Sequence, residues 1–357
     1  MLALGNRPLL RARPAIFARS RDGAAGAARK ATLLTLAAAG LTIFLFGLTP
    51  VTTRIATLHV DGLAVGTFRT VGAGILVIPL LLAGRLRPPR ELSNWALLVL
   101  SAASGFIVFP VLFSIGTQRT SACHAALIMA TIPLFTGLFA TVVERRLPRL
   151  QWGIGAAIAL AAETALVTTA TGHAGGTGST MLGDALVLGA CLGVATSFVA
   201  GAHLAKRIGA WAATFWAILL ASIALAPWAA VDAFRVAWTE VTPWCWLALV
   251  HLAAGAGVIG FAAWFWALAR GGIARVAVLQ FFQPVISLAF AALLLSERLT
   301  PALALSAAAI LFGVLIARSS EGRARPASAT RRRRDRIAAG ALTGEGRDAP
   351  GGANAAA

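Results

Sequence analysis

Tyrosine is absent from the 357 residues, acidic residues number 13, and charged residues of both signs make up only 12% of the chain. A soluble domain is about a quarter charged and about half apolar. A chain that is 58% hydrophobic with a mean hydropathy of +0.81 is therefore no ordinary soluble globule and belongs in lipid. The three cysteines, Cys123, Cys191 and Cys245, lie in or at the edge of apolar stretches, far apart in sequence. That spacing excludes a close-spaced metal or redox motif and leaves them as small packing residues. No Gly-x-x-x-x-Gly-Lys-Ser/Thr loop occurs, so ATP has no recognisable seat. No Gly-x-Ser-x-Gly or His-Glu-x-x-His pattern falls within an apolar stretch, which argues against an intramembrane enzyme. No metal and no cofactor is expected. With tyrosine missing, the ten tryptophans supply the interfacial anchors, and Trp95, Trp152, Trp211, Trp228 and Trp244 stand near the ends of apolar runs.

What the chain has in abundance is apolar runs of about 20 residues, the length needed to cross a bilayer as helix. They fall at Thr32–Thr53, Val60–Ala83, Trp95–Gly116, Thr120–Val143, Leu150–Ala170, Met181–Leu204, Ala210–Val231, Trp244–Ala269, Ile273–Leu295 and Pro301–Ala317. The expected fold class is an all-α integral membrane protein with ten transmembrane helices. Helices are required because lipid leaves no other partner for backbone amides, and runs this long are twice what a barrel strand needs. The net charge of +18 crowds the two tails and alternate short loops instead of one face, which speaks against nucleic acid as a partner. With the first tail in the cytoplasm, inner loops hold Arg85, Arg87, Arg90, Arg145, Arg146, Arg149, Lys206, Arg207, Arg270 and Arg275. Outer loops hold only Arg54, Arg119, Arg235 and Arg298, so both termini are expected inside a bacterial inner membrane, with anionic lipid holding the basic tails. The expected layout is a basic cytoplasmic tail over 1–30, a first five-helix repeat over 31–170, a second over 181–318, and a disordered Arg-rich cytoplasmic tail over 319–357.

The repeats show when the chain is slid on itself by 151 residues. Trp95 then meets Trp246, Arg119 meets Arg270 and Pro133 meets Pro284. Each copy also reads Glu-Arg-x-x-Pro before its last span, as Glu144 to Pro148 and Glu297 to Pro301 with a small slip. Five spans is an odd number, so the second copy enters from the opposite face and the two form an inverted repeat. One fold in two orientations can form two near-mirror states, each open to one side, as alternating access requires.

The residues Thr120-Ser121-Ala122, Ala125 to Ile128, Pro133 and Glu144-Arg145 in the first half resemble the EamA-type branch of the drug/metabolite transporter superfamily. Gln283-Pro284, Ser296 to Leu299 and Gly313 in the second half carry the same resemblance, as do Arg69 in the second span and Gly183-Asp184-Ala185. It covers about Ala31 to Ser319, with two departures. The Pro133 to Glu144 spacing is two residues shorter than Pro284 to Glu297, and His124 stands where small residues are usual. The resemblance implies two five-helix repeats and ATP-independent export or exchange of amino acids, related metabolites or drugs. Exchange of sugar phosphates or nucleotide sugars, and a non-transporting membrane scaffold, are the alternatives. Glycine- and alanine-rich spans also make a homodimer conceivable.

Polar residues inside the spans are the candidate site. Arg69 lies about 14 Å deep at 1.5 Å per residue, near the midplane of a core about 30 Å thick. A cation there binds a carboxylate-bearing substrate or is tied to helix-end carbonyls or Glu163. Gln280, Gln283 and Ser287 recur at helical spacings, giving a stripe that lines a substrate cavity or bonds neighbouring helices. Glu163, read as the sole acid well inside a span, and His124 are proton-coupling candidates, with structural pairing as the other reading. Pro133 and Pro284 are candidate hinges, since proline frees a carbonyl and breaks a helix. Topology reporters fused at either end of the chain should report the same compartment; opposite compartments would overturn the even span count.

Overall fold

The computed structural model describes residues 15–143, 150–151, 153–155, 157–158, 161–162, 180–272, 276, 278–296 and 300–319. Among the described residues every element is helical. In order these are α1 (Ala15–Thr57), α2 (Gly62–Ala83), α3 (Leu92–Ser101), α4 (Phe109–Gln118), α5 (Ala122–Met129), α6 (Ile132–Val143), α7 (Met181–Ile208), α8 (Ala210–Arg235), α9 (Pro243–Val250), α10 (Phe261–Gly271), α11 (Phe282–Leu295) and α12 (Pro301–Ser319). Two π-helical segments, Ala102–Val108 and His251–Gly260, join α3 to α4 and α9 to α10 into continuous rods.

Helix starts follow from local chemistry. Asp61, Ser121, Thr180 and Thr242 each turn a side-chain oxygen onto a backbone N–H of the first turn of α2, α5, α7 and α9, which would otherwise lack a partner. Seven helices are long and apolar enough to cross a membrane, and the apolar stretches Phe282–Leu295 and Ala304–Gly313 are shorter. The chain is thus a multi-pass membrane protein, although the described residues do not carry the full count of ten. Only part of the expected fifth span, and not Glu163, falls among the described residues. The expected first span falls within the apolar stretch Lys30–Thr57, and its helix α1 runs on unbroken upstream to Ala15 through the basic segment. Nothing after Pro14 in that segment stops a helix except two glycines, each a mild penalty.

Two of the expected spans are interrupted. A turn at Ala130–Thr131 separates α5 from α6, and a 3₁₀ turn at Val278–Phe281 precedes α11. Pro133 and Pro284 sit in the first turn of the helix that follows each break, where a missing N–H costs nothing. The breaks lie just ahead of these prolines.

The two sequence halves interleave. Helix α1 packs along the α9–α10 rod and α11, while α7 packs along the α3–α4 rod, α5 and α6, and α2 runs against α8. One end of the bundle gathers the connections near Arg54, where Gly62 donates to Gln118 Oε1 at 3.0 Å and Thr180 Oγ1 donates to the Arg119 carbonyl at 3.0 Å. At the other end Arg207 donates to Asn94 Oδ1 at 3.0 Å, joining the end of α7 to the start of α3. Leu82, Leu92, Phe234, Leu293 and Leu305 are among the large apolar side chains left exposed, as a lipid-facing surface requires.

Backbones touch where α4 meets α7. A methyl group on Gly116 would stand 2.8 Å from the Gly183 carbonyl, whereas one on Gly40 would meet nothing within 4 Å. Gly116→Ala should therefore lower the Tm of the detergent-solubilised protein by an amount equivalent to about 1–3 kcal/mol. Gly40→Ala should leave it unchanged or slightly raised, and equal effects of the two would contradict the packing.

Candidate substrate pocket

A small, partly open pocket lies where the interrupted helices meet the rods, with about 290 Å³ of space between its walls, adjoining open space included. Helix α1 contributes Phe46 and Thr49, α2 Arg69, α4 Phe109 and α5–α6 Met129 and Ile132. From the second half come Val194 and Phe198 of α7, Phe261 of α10, Gln280 of the 3₁₀ turn and Gln283 of α11.

The aromatic wall is built by packing. Phe46 and Phe198 are stacked with centroids 6.2 Å apart and planes 8° from parallel, and Phe261 meets them at 5.3 and 5.8 Å. Phe109 and Phe261 are each the first residue after a π segment, so the wider local turn sets the direction in which each ring projects. Trp264, fully buried, backs Phe198 at 5.6 Å. Trp264 and Phe265 thus pack inside the protein, while Trp266 takes the Arg270 guanidinium over its ring at 4.6 Å.

Against this apolar wall stand Thr49, whose hydroxyl donates to the Leu45 carbonyl, and three polar side chains with unmet hydrogen-bonding capacity. Arg69 is 4% exposed, its Nη1 has no hydrogen-bond partner, and its guanidinium carbon lies 5.6 Å above the Phe109 ring. A cation over an aromatic face recovers part of what burial costs, but leaves the guanidinium with unused donors. Gln280 is 2% exposed with both Oε1 and Nε2 unpartnered, and Gln283 Nε2 reaches only the soft acceptor Met129 Sδ at 3.9 Å. Buried polar atoms without partners are uncommon and costly, so donors and acceptors converging on one cavity are suited to a ligand that completes them.

Arg69, Gln280 and Gln283 are therefore brought together. Ser287 is not: its hydroxyl donates to the Gly47 carbonyl at 2.6 Å, tying α11 to α1 outside the pocket wall. Its helical spacing puts it on the same face as the glutamines, one turn further along, where α1 comes close. His124 is also away from the pocket. Its Nδ1 lies 3.3 Å from Asp184 Oδ2, and Thr120 donates to Asp184 Oδ1 at 2.5 Å, so α5 and α7 are pinned by a buried polar cluster.

Two acids outside the sequence-predicted site, Asp184 of that cluster and Asp232 of α8, are nonetheless 1% and 9% exposed. Both sit near helix ends, where a sequence reading assumes hydration. His251, on the π segment, shares a hydrogen bond of 3.1 Å with Thr52 Oγ1 and leaves Nε2 buried without a partner. The four pocket phenylalanines were missed, though Phe46 and Phe198 carry a signal: they pair when the chain is slid by 152 residues.

The profile of the EamA-like transporter family matches residues 33–168 and again 181–319. This chain belongs to that family. It is similar to the "Uncharacterized transporter YdeK" of Bacillus subtilis, 31% identical over 271 residues, covering 74% of this chain and 90% of that protein. It is likewise similar to the "Probable terminal-alkyne amino-acid exporter" of Streptantibioticus cattleyicolor, 31% identical over 256 residues, covering 70% of this chain and 81% of that one. A crystal structure 21% identical in sequence shares the fold with a TM-score of 0.54, over 81% of this chain and 96% of the other.

Removing the Ser287 hydroxyl should loosen α11 from α1 without touching the cavity. Ser287→Ala is expected to cost roughly 1 kcal/mol in thermal stability and to leave the KM for transport as in the wild type. A changed KM at unchanged stability would return Ser287 to the site.

Proposed function

We propose that this EamA-family protein is an ATP-independent secondary transporter of the cell membrane that exports or exchanges small carboxylate-bearing metabolites, amino acids with apolar side chains foremost, by alternating access. The observation that carries the substrate class is Arg69, buried and incompletely bonded beside an aromatic cavity. A guanidinium is a bidentate partner for a carboxylate, Gln280 and Gln283 offer acceptors to an amino group, and four phenylalanines suit an apolar side chain. Sugar phosphates fit less well, since phosphate commonly recruits several cations and Arg69 is the one cation among the pocket-lining residues. The amino-acid assignment gains support from the name of the Streptantibioticus relative.

Alternating access is supported by the repeat. Four pairs of lining residues stand 151 or 152 apart: Phe46 and Phe198, Phe109 and Phe261, Met129 and Gln280, Ile132 and Gln283. The π segments and the helix breaks recur at corresponding places in the two halves. Such pairing is what a site on the axis of an inverted repeat with ten spans would have, and rocking of interleaved bundles about it would expose the cavity to either side. Pro133 and Pro284 flank the breaks as hinges. Coupling to a proton gradient falls to His124 with its partner Asp184, and to Glu163.

The test is uptake and counterflow in proteoliposomes with a panel of proteinogenic amino acids and the matching amines that lack the carboxylate. Arg69→Ala and Arg69→Lys should each cut flux by at least about tenfold while the protein still elutes as a folded species, because lysine cannot reproduce the planar fork. Wild-type flux in both variants, or equal transport of the amines, would overturn the assignment.

A further inference from the structure

The repeat also pairs two cations that the pocket does not use. Arg54 lies eight residues after Phe46 on α1, and Lys206 lies eight residues after Phe198 on α7. Arg54 Nη1 donates to the carbonyls of Thr117 and Gln118, at 3.1 and 2.8 Å. These are last-turn carbonyls of α4, eight and nine residues after Phe109, and as helix-end acceptors they have no following amide to bind. A cation there gains both a charge-assisted hydrogen bond and the favourable end of the helix dipole. The contact crosses between α1, which packs on the α9–α10 rod, and the α4 rod, which packs on α7, so it closes one end of the bundle above the pocket. Gln118 adds to the same closure by accepting from the Gly62 amide.

Repeat symmetry puts the corresponding acceptors for Lys206 eight and nine residues after Phe261, at the Ala269 and Arg270 carbonyls in the last turn of α10. Lys206 makes no such bond: it is exposed and among the described residues has no hydrogen-bond partner. Its neighbour Arg207 is engaged elsewhere, with Ser93 and Asn94. One latch is fastened and its counterpart is free.

We propose that Arg54 and Lys206 are alternating gate latches, each closing its own end of the bundle by grasping the C-terminus of the opposing rod, α4 for Arg54 and α10 for Lys206. The structure is the state in which the Arg54 latch is shut. In the other state Arg54 releases Thr117 and Gln118 while Lys206 binds the end of α10. The inference rests on the alternating-access reading and adds the residues that hold each state.

Double electron–electron resonance tests it on the full chain in lipid nanodiscs. One spin-label pair at Leu58 and Met181 spans the Arg54 end, and one at Leu33 and Leu92 spans the other; all four positions are exposed, whereas the native cysteines are buried. Arg54→Ala should raise the long-distance population at Leu58–Met181 at least about tenfold, the least expected for losing two charge-assisted hydrogen bonds, and shorten Leu33–Leu92. Arg54→Lys should restore most of the wild-type distribution, which guards against a general folding defect. Lys206→Ala alone should leave the resting distribution unchanged, and combined with Arg54→Ala it should reverse the shift. Wild-type distances at both ends in folded Arg54→Ala, or no reversal by Lys206→Ala, would overturn the latch. Intact amino-acid flux with unmoved distances would retire the latch alone, whereas shifted distances without flux of any panel member would retire the transport reading and keep the two-state latch.

Discussion

Lipid offers a polypeptide no hydrogen bonds, and the rest of this structure follows from that constraint. Regular helix can face the bilayer anywhere, but an interruption must turn inward, where protein or a ligand can meet the freed groups. The turn at Ala130–Thr131, the 3₁₀ turn at Val278–Phe281 and the two π segments are such interruptions, and all four contribute or directly flank pocket-lining residues. The π segments Ala102–Val108 and His251–Gly260 are followed directly by Phe109 and Phe261, both in the wall. The cavity is thus less an addition to the bundle than the place where its irregular backbone collects.

Symmetry supplies the frame of that cavity and departures from symmetry supply its chemistry. Phenylalanines occupy both members of two lining pairs, so the apolar wall is shared between the halves. The polar atoms are not shared: Gln280 and Gln283 answer to Met129 and Ile132, and Arg69 answers to Ala221, fully buried on α8. Cation and amide groups therefore come from opposite halves. A bound carboxylate with a neighbouring amino group would bridge them, and relative motion of the halves would be felt by the ligand directly.

The sequence made Arg69, Gln280 and Gln283 legible because polar residues stand out in a chain this apolar, and depth follows from counting at 1.5 Å per residue. It did so less well where polarity alone was the guide. Ser287 shares the helical face of the glutamines, yet only the approach of Gly47 decides that its hydroxyl is consumed by a backbone carbonyl. Asp184 stood at a span end and passed for a hydrated residue, although Thr120 and His124 enclose it. Phenylalanine facing lipid and phenylalanine facing a cavity have the same composition, so the aromatic wall needed coordinates. The π segments have no residue-type signature at all; Ala102–Val108 and His251–Gly260 read as ordinary apolar helix.

Arg69 makes the empty and the occupied pocket electrostatically different. Phe109 accounts for one face of the guanidinium, and Nη1 is left without an acceptor in a wall of aromatic and aliphatic groups. On the proposed assignment, a carboxylate entering this space would remove the deficit and neutralise the charge together, so the loaded site would be the one that tolerates exclusion from water. Closure of the bundle over an empty cavity leaves the deficit standing. On that reading the cost of burying one arginine would link occupancy to which conformations are accessible, and such a link, more than the affinity of any single contact, is what turns a binding cavity into a carrier.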